Sequence, residues 1–489
     1  QIEAITDLEM AAELVLPYTT AGTVQVSEHG IPLLSLTSTG RNGGGSSAVA
    51  LPPGSTIDLV NSAFILRSND GIYDNFYVTR FESADTPHTA YWFESQYDFP
   101  LALDYYEAIA GFEDSAFQDW TTGRYNRATG TWTMPDGSQS FSEVLLSAVL
   151  SEASSRGVLS NTLNSLRNAT TLHQDKTTWV TAPHLGDIVN RGRDIEIGDQ
   201  NLIERINSLI TQENSDVFAI PDLLKFVADR APARMFQNLA DLTSRINLDN
   251  LSLNTTVSML TAYSESTNLN DPLAEAFSRF RGLIESRLLS SLVLTDRGLF
   301  LGSGPELVDI AASISGGLII ARIGEDEGNT LYENIGRELV VSALTFTDDS
   351  PYLPAIAKTD ENTIANSSGA ILPEEIYASL TGSDFYPHQV SLSESAGPGI
   401  WAWTVSNEFD VRKTPNGLVI SFEYPVKSTH HFILKGIAPF SGISFFGIQW
   451  KSDPRFQFYN SGWLYSEADE ALYVKITHSE VREELVIRY

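Results

Sequence analysis

The hydrophobic period of this chain changes twice, and that double change limits what it can fold into more than any single motif does. From residue 1 to about 100, short apolar runs alternate with turn residues. Pro52, Pro53 and Gly54 break the chain before the run 57–66, and the aromatic-rich runs 77–81 and 91–97 follow. Val, Ile, Tyr and Phe between Gly and Pro punctuation predict a β domain. From 101 to 382 the period is helical. Phe141, Val144, Leu145, Ala148 and Val149 recur at the spacing of one helix face, as do Leu202, Ile203, Ile206, Leu209 and Ile210, and again Leu273, Phe277, Phe280 and Ile284. Ser142 with Glu143, and Asp222 after Pro221, read as helix starts, while Gly157 and Gly198 read as stops or links. The stretch 293–301 suits a short extended segment, and 360–370 a loop. From 383 to 489 strands return, at 401–404, 418–424, 430–435, 444–450, 463–465 and 472–477, with Pro415-Asn416-Gly417 as a hairpin turn. The expectation is a multidomain α+β protein: an N-terminal β domain over 1–100, a helical domain over 101–382 and a C-terminal β-sandwich-like domain over 383–489.

Charge narrows the function. The chain has 489 residues, with 62 acidic against 31 basic side chains, no cysteine and a net charge of −31. Without cysteine there is no disulfide framework, thiolate nucleophile or zinc-thiolate site. The negative balance argues against nucleic acid and against anionic lipid, since both are held by clustered Lys and Arg. Only 8 of the basic residues are Lys, the first at Lys176, and the last 104 residues carry 9 basic and 11 acidic groups, so the first 385 hold nearly all of the excess. An acidic, Lys-poor, Cys-free surface suits exposure to salt or to an oxidising extracytoplasmic space, the competing reading being a compositional bias of the source, and the start at Gln1 is consistent with a mature form. No apolar stretch has the length of a membrane span; the longest, 314–323, is interrupted by Gly316 and Gly317 and reads as a buried helix.

Several constellations could carry chemistry. Phe117-Gln-Asp119-Trp120-Thr-Thr-Gly-Arg124-Tyr125-Asn126 places a carboxylate, two aromatics and a guanidinium in one polar loop, a composition suited to stacking on sugar rings and bonding their hydroxyls. The competing reading is an ordinary loop with Trp120 half buried. Thr178-Trp179-Val-Thr-Ala-Pro183-His184-Leu-Gly186-Asp187 leads a Trp through a Pro turn to His184 and Asp187 at a spacing that shares one helical face. The competing reading there is a cap with a hydrogen-bonded histidine. Asp194, Glu196 and Asp199 alternate as if along an extended stretch and could offer oxygens to Ca²⁺, although most such alternations are solvated faces. Glu325-Asp326-Glu327 reads as a charged turn. Adjacent His430 and His431 on a strand face opposite sides and cannot readily share a metal. The sequence Arg41-Asn-Gly-Gly-Gly-Ser-Ser47 lacks the Lys ending of a phosphate-binding loop. No HExxH, GxSxG or dinucleotide fingerprint occurs, so no tightly bound redox cofactor is expected. Trp401, Trp403, Trp450, Trp463 and Tyr465 read as sandwich core before they read as a stacking platform.

Within the helical zone, an apolar run at 283–294 leads into Thr295-Asp-Arg-Gly-Leu-Phe-Leu301. Ser303-Gly-Pro-Glu306 then opens a helix at 307–322, an acidic loop follows at 324–328, and a further helix at 332–344. This helix, ribbon, helix rhythm over residues 140–350, between two β zones, resembles the (α/α)-toroid carbohydrate-active enzymes, the glycoside hydrolases and polysaccharide lyases whose helical barrel is flanked by antiparallel β-sandwiches. The resemblance implies a groove lined by loops, a carbohydrate partner and a pair of carboxylates for glycosidic cleavage. On that reading Asp187 is the ionised base or nucleophile, favoured by the first-turn position of Pro183. Asp119, beside the apolar Trp120, is the protonated acid, and Trp120, Arg124, Tyr125, Trp179 and His184 contact substrate. Repulsion of polyanions tilts the substrate toward a neutral glycan and the chemistry toward hydrolysis, although Arg191 and Arg193 could receive an acid group. The alternative is a non-catalytic surface or periplasmic protein that binds a glycan or another protein on the same scaffold.

Overall fold

The structure is a computed structural model. It describes residues 102–489 apart from 250, 270, 305, 349–351, 361–362 and 383–384, and, before residue 102, the backbone of the strands between Ile2 and Glu94. The break at Pro52–Gly54 and residues Arg41 to Gly45 of the glycine-rich stretch lie outside the described residues, while Ser46 and Ser47 open the strand Ser46–Val49. The chain is a mixture of helix and mostly antiparallel sheet, as the two changes of period imply. It divides into two compact units, one made of Gln1–Phe112 and Asn247–Ile371, the other of Glu113–Ile246 and Leu372–Tyr489. The change of period near 100 and 383 marks where the kind of secondary structure changes. The units follow contact instead, and each combines helices with sheet.

In the first unit a six-stranded sheet runs in the order Ile31–Thr39, Ala21–Glu28, Pro87–Glu94, Tyr73–Val78, Ala63–Arg67, Thr56–Val60. Within it Ala21–Glu28 and Pro87–Glu94 pair in parallel, where an all-antiparallel domain was expected. The apolar run 57–66 is two paired strands, with Val60 opposite Ala63. A second sheet is built from Leu292–Thr295, Gly298–Gly304, Leu307–Asp309, Ile356–Asp360 and Thr363–Ser368. The expected extended segment at 293–301 is thus a hairpin, and the expected loop at 360–370 contains a strand. Helix Ile310–Glu327 starts at Asp309, whose carboxylate accepts from the Ala312 N–H at 2.8 Å. Glu325, Asp326 and Glu327 form its last turn and not a loop. Acid at a helix C-terminus opposes the macrodipole, and here Arg281 offsets it, with Nη2 2.7 Å from Glu327 Oε2.

That helix packs on Thr330–Leu344 through glycine. A Cβ on Gly317 would lie 2.6 Å from the carbonyl oxygen of Gly336, and one on Gly336 would lie 2.3 Å from that of Gly317. Replacing a mid-helix glycine by alanine gains about 1 kcal/mol where space is free, but overpacking a tight contact costs about 1–3 kcal/mol. We therefore expect Gly336→Ala to lower the denaturant midpoint of unfolding. An unchanged or higher midpoint would show that the two backbones are not in this contact.

The second unit joins helices to the C-terminal sheets. Ser142 caps Glu143–Ser155, its hydroxyl accepting from the Leu145 N–H at 3.2 Å, and Gly157 follows the helix with φ of 66°. Gly198, by contrast, lies inside Ile195–Thr211 and is no stop. From 388 onward two five-stranded antiparallel sheets form. One orders His388–Ser391, Trp401–Thr404, Thr429–Lys435, Ala471–Thr477, Gly462–Ser466; the other orders Phe409–Thr414, Gly417–Glu423, Arg482–Arg488, Gly442–Phe445, Ile448–Trp450. The hairpin at Pro415-Asn416 joins Thr414 to Gly417 as expected. Alternate residues of both sheets meet in one core, among them Ala402, Ile420, Phe422, Phe432, Leu434, Trp463, Val474 and Ile487. The opposite face of the first sheet offers Trp401, Ile433 and Tyr473, and these pack with Ala182, Ile188 and Ile195 from the helical segment. That second core holds 182–195 and the C-terminal strands in one unit. No helix is long and apolar enough to cross a membrane among the described residues.

Candidate functional site

Helix Ala102–Gln118 continues without interruption into a single wide turn, Asp119–Gly123, so the expected polar loop is helical backbone. Its side chains turn inward. The Arg124 guanidinium is ion-paired through Nε to Asp119 and forks onto Glu374, with Nη2 2.7 Å from Oε2 and Nη1 3.2 Å from Oε1. The Trp120 indole N–H donates to the same Glu374 Oε2 at 3.1 Å. Trp120 is fully buried, and Asp119, Arg124 and Glu374 are 9%, 6% and 3% exposed. Burial pushes the Asp119 carboxyl above its ordinary range, against the pull of Arg124. The direction suits an acid, but a carboxyl enclosed with its own guanidinium cannot reach a sugar. Tyr125 stands beside Trp132, ring centroids 5.4 Å apart. The structure therefore gathers Asp119, Trp120 and Arg124 into a buried ion cluster around Glu374, a residue that no local signal connected to them.

The second constellation comes apart at Gly186. Pro183 does occupy the first turn of a helix, Ala182–Leu185, but Gly186 follows with φ of 85°, and Asp187, itself left-handed at φ of 57°, begins Ile188–Gly192. His184 and Asp187 consequently share no helical face. The His184 side chain points into the core. Its Nε2 lies 3.1 Å from the Phe385 carbonyl oxygen and its Nδ1 3.4 Å from the Tyr424 hydroxyl. Burial pushes its pKa down to about 3. Asp187 points outward, with its side chain 51% exposed and Arg191 Nε 4.0 Å away. Asn190 Nδ2 donates to its Oδ1 at 2.7 Å.

Trp179 belongs to a cluster that local reading missed. Trp401 and Trp403 are two residues apart on a strand and so share a face. Trp403 meets Trp179 edge to face at 4.5 Å between ring centroids, and its indole N–H donates to the Val180 carbonyl oxygen at 3.3 Å. Arg230 packs on Trp179 and Trp401, its guanidinium carbon 5.3 Å from the first ring and 4.4 Å from the second. Arg230 is held in place by an ion pair with Asp199 and by a 3.1 Å bond from Nη1 to Gln389 Oε1. Asp229 accepts from Gln389 Nε2 and Ser391 Oγ, both at 2.8 Å. Trp179 and Trp403 stay half-buried, so part of each indole is open to solvent. The Trp401-x-Trp403 spacing was the one signal that could have announced this cluster.

Neither a protein-family model nor a curated protein matches this sequence. Its chemistry therefore has to be read from these side chains. The acidic stretch 194–199 is helical from Ile195 and not extended. A helix sends Glu196 and Asp199 to different cations, Lys435 at 3.1 Å and Arg230, so the oxygens expected around Ca²⁺ do not converge. No group of three or more His, Asp or Glu side chains able to hold a metal occurs among the described residues. His430 and His431 face opposite sides of their strand, His430 toward His478 at 2.9 Å and His431 toward the Pro183 carbonyl oxygen at 3.2 Å. Of the C-terminal aromatics, Trp401 and Trp463 are buried in the two cores, as their reading as core implied.

Proposed function

We propose that this chain is an extracytoplasmic protein that binds carbohydrate without cleaving it. The observation that carries this reading is the half-buried indole pair of Trp179 and Trp403, with Trp179 held from behind by the largely buried Arg230 side chain: fixed, flat apolar surface is what sugar rings stack on. The neutralisation of Asp119 by Arg124 supports binding over catalysis. The acidic, Cys-free, Lys-poor composition supports the setting outside the cytoplasm. For the scaffold, the single core between the two C-terminal sheets supports a β-sandwich. The toroid has no comparable support, because the helices of 113–246 and those of 253–344 belong to different units. Glycan-array binding by the full chain tests the proposal. Trp179→Ala or Trp403→Ala should weaken binding of a neutral glycan by about tenfold or more. Binding unaffected by both changes, or none across neutral and acidic glycans, would remove it.

A hydrolase remains the second reading, on the strength of Asp187, an open carboxylate at a left-handed backbone position of the kind concentrated at functional sites. If it serves as base or nucleophile, Asp187→Asn lowers turnover by roughly 10²-fold or more with folding intact. Mass spectrometry that finds no cleavage product from a broad glycan panel eliminates this reading.

A further inference from the structure

The second unit contains an open surface cavity of about 340 Å³ lined by Arg127, Asn164, Ser165, Arg167 and Asn168, all exposed but the half-buried Asn168. In a chain with twice as many acids as bases, a cavity lined by two arginines and by no acidic residue is unusual. Arg124, Arg156, Arg191, Arg230, Arg245, Arg281 and Arg482 all have carboxylates within ion-pair distance. Arg127 and Arg167 have none among the described residues, as is true of Arg193, Arg205, Arg234, Arg322 and Arg412, but these two line one cavity. The Asn164 amide and the Ser165 hydroxyl likewise have no hydrogen-bond partner among the described residues.

The walls of this cavity are built. Tyr125–Asn126 and Thr131–Thr133 pair as a hairpin, and Arg127 lies in its tip. Asn168 Nδ2 donates to the Arg127 carbonyl oxygen at 2.7 Å, and His173 Nε2 lies 2.9 Å from that of Thr129. Gly130, at φ of 67°, passes so close to the backbone of Asn168 that a Cβ would lie 2.5 Å from its carbonyl carbon. The tip is thereby fixed against Arg167–Leu172, whose Ala169 and preceding Leu166 are fully buried. Two like charges lining one cavity repel each other until an anion lies between them. Guanidiniums pair with carboxylate, sulfate or phosphate through two parallel N–H bonds. The cavity is larger than a lone oxyanion needs and falls at the small end of ligand sites, while Asn164, Ser165 and Asn168 match hydroxyl groups.

We propose that this cavity binds the oxyanion of an acidic sugar unit, a sugar acid or a sugar ester, with Arg127 and Arg167 on the anion and Asn164 and Ser165 on the ring hydroxyls. The site is independent of the Trp179 and Trp403 indoles. Calorimetric titration of the full chain with glucuronate, glucose 6-sulfate and glucose 6-phosphate, against glucose and inorganic phosphate, tests it. We expect at least one acidic sugar to bind about tenfold or more tighter than either control, and Arg127→Gln and Arg167→Gln each to weaken it by about tenfold at unchanged melting temperature. Both residues are exposed, so neither change threatens folding. Trp179→Ala should leave this binding unaltered. Glucose binding as tightly as the acids, or full affinity in the double Arg variant, overturns the site. Inorganic phosphate binding as tightly as the sugars overturns the role of the hydroxyls. Equal response to all three acids identifies the charge as what is read, and a preference among them identifies which ester or acid the cavity takes.

Discussion

Arg124→Met should destabilise the protein by about 3–5 kcal/mol, the scale on which an unpaired buried charge is paid for, which lowers the melting temperature of its unit by roughly 10 °C. The cause is the pair of carboxylates left behind. Asp119 and Glu374 would face each other in a site closed to water, and the Trp120 indole would remain on a carboxylate with no counter-charge. The same enclosure extends outward through Tyr377, which stands edge to face with Trp120 at 5.4 Å and donates its hydroxyl to Glu152 Oε2 at 2.7 Å. Glu152 in turn meets Arg156 at 2.6 Å. Neutralising the carboxylates together with the arginine, as Asp119→Asn, Glu374→Gln and Arg124→Met in one chain, should restore much of the loss, since a buried polar group without charge costs less to enclose. Calorimetry of the two variants beside the parent decides the matter. An Arg124→Met protein that melts like the parent would show that the cluster is open to water, which would return Asp119 to consideration as an acid.

A second large effect is expected on acidification. His184, His430, His431 and His478 are buried in one region of the second unit. Burial depresses all four, His184 to about 3 and His431 to about 4. A histidine held neutral in the fold binds its proton only on unfolding. Stability is therefore complete above the ordinary histidine value and falls as pH drops from there toward the folded value. Each such group forfeits up to about 1.4 kcal/mol per pH unit, so His184 and His431 alone remove roughly 3 kcal/mol between pH 6.5 and 5. Lys475 reinforces the depression at His431, and Glu483 opposes it at His478. The carboxyls of Asp119, Asp199 and Asp229 are raised by burial and act with the opposite sign, in a window that starts from the ordinary carboxylate value. Melting temperatures should be level from pH 8 to 7 and fall steeply below 6.5, with a shallower slope in His431→Gln. A level profile down to pH 5 would mean that these rings are reached by water.

Both effects depend on partners far apart in the chain, and that separates what local pattern could disclose from what it could not. Ser142 as a cap, Gly157 as a stop, the two-residue turn at Pro415-Asn416 and the placement of His430 and His431 on opposite faces of a strand follow from the preferences of a few neighbouring residues, and the structure has them where the pattern put them. The glycine readings divide on the same line. Gly157 ends a helix because its backbone conformation is local, whereas Gly198 continues one, with Trp179 Nε1 3.9 Å from where its Cβ would stand. Gly317 and Gly336 look like helix weaknesses until the carbonyl of the neighbouring helix is known.

Period and composition by themselves determined that helix and sheet are mixed, where strands lead and end the chain, and the burial of a long apolar helix, because backbone preference and amphipathic spacing act within a turn or two of the chain. Tertiary structure alone decided which polar residues are chemically available. Asp119 and Asp187 were equal as carboxylates in sequence, yet one lies within reach of Arg124 and Glu374 inside the core and the other stands in solvent. Trp179 gained its partner from a strand 224 residues away and its cation from Arg230. Charge pairing and desolvation act through space, over a few ångströms, and sequence separation carries no record of that distance.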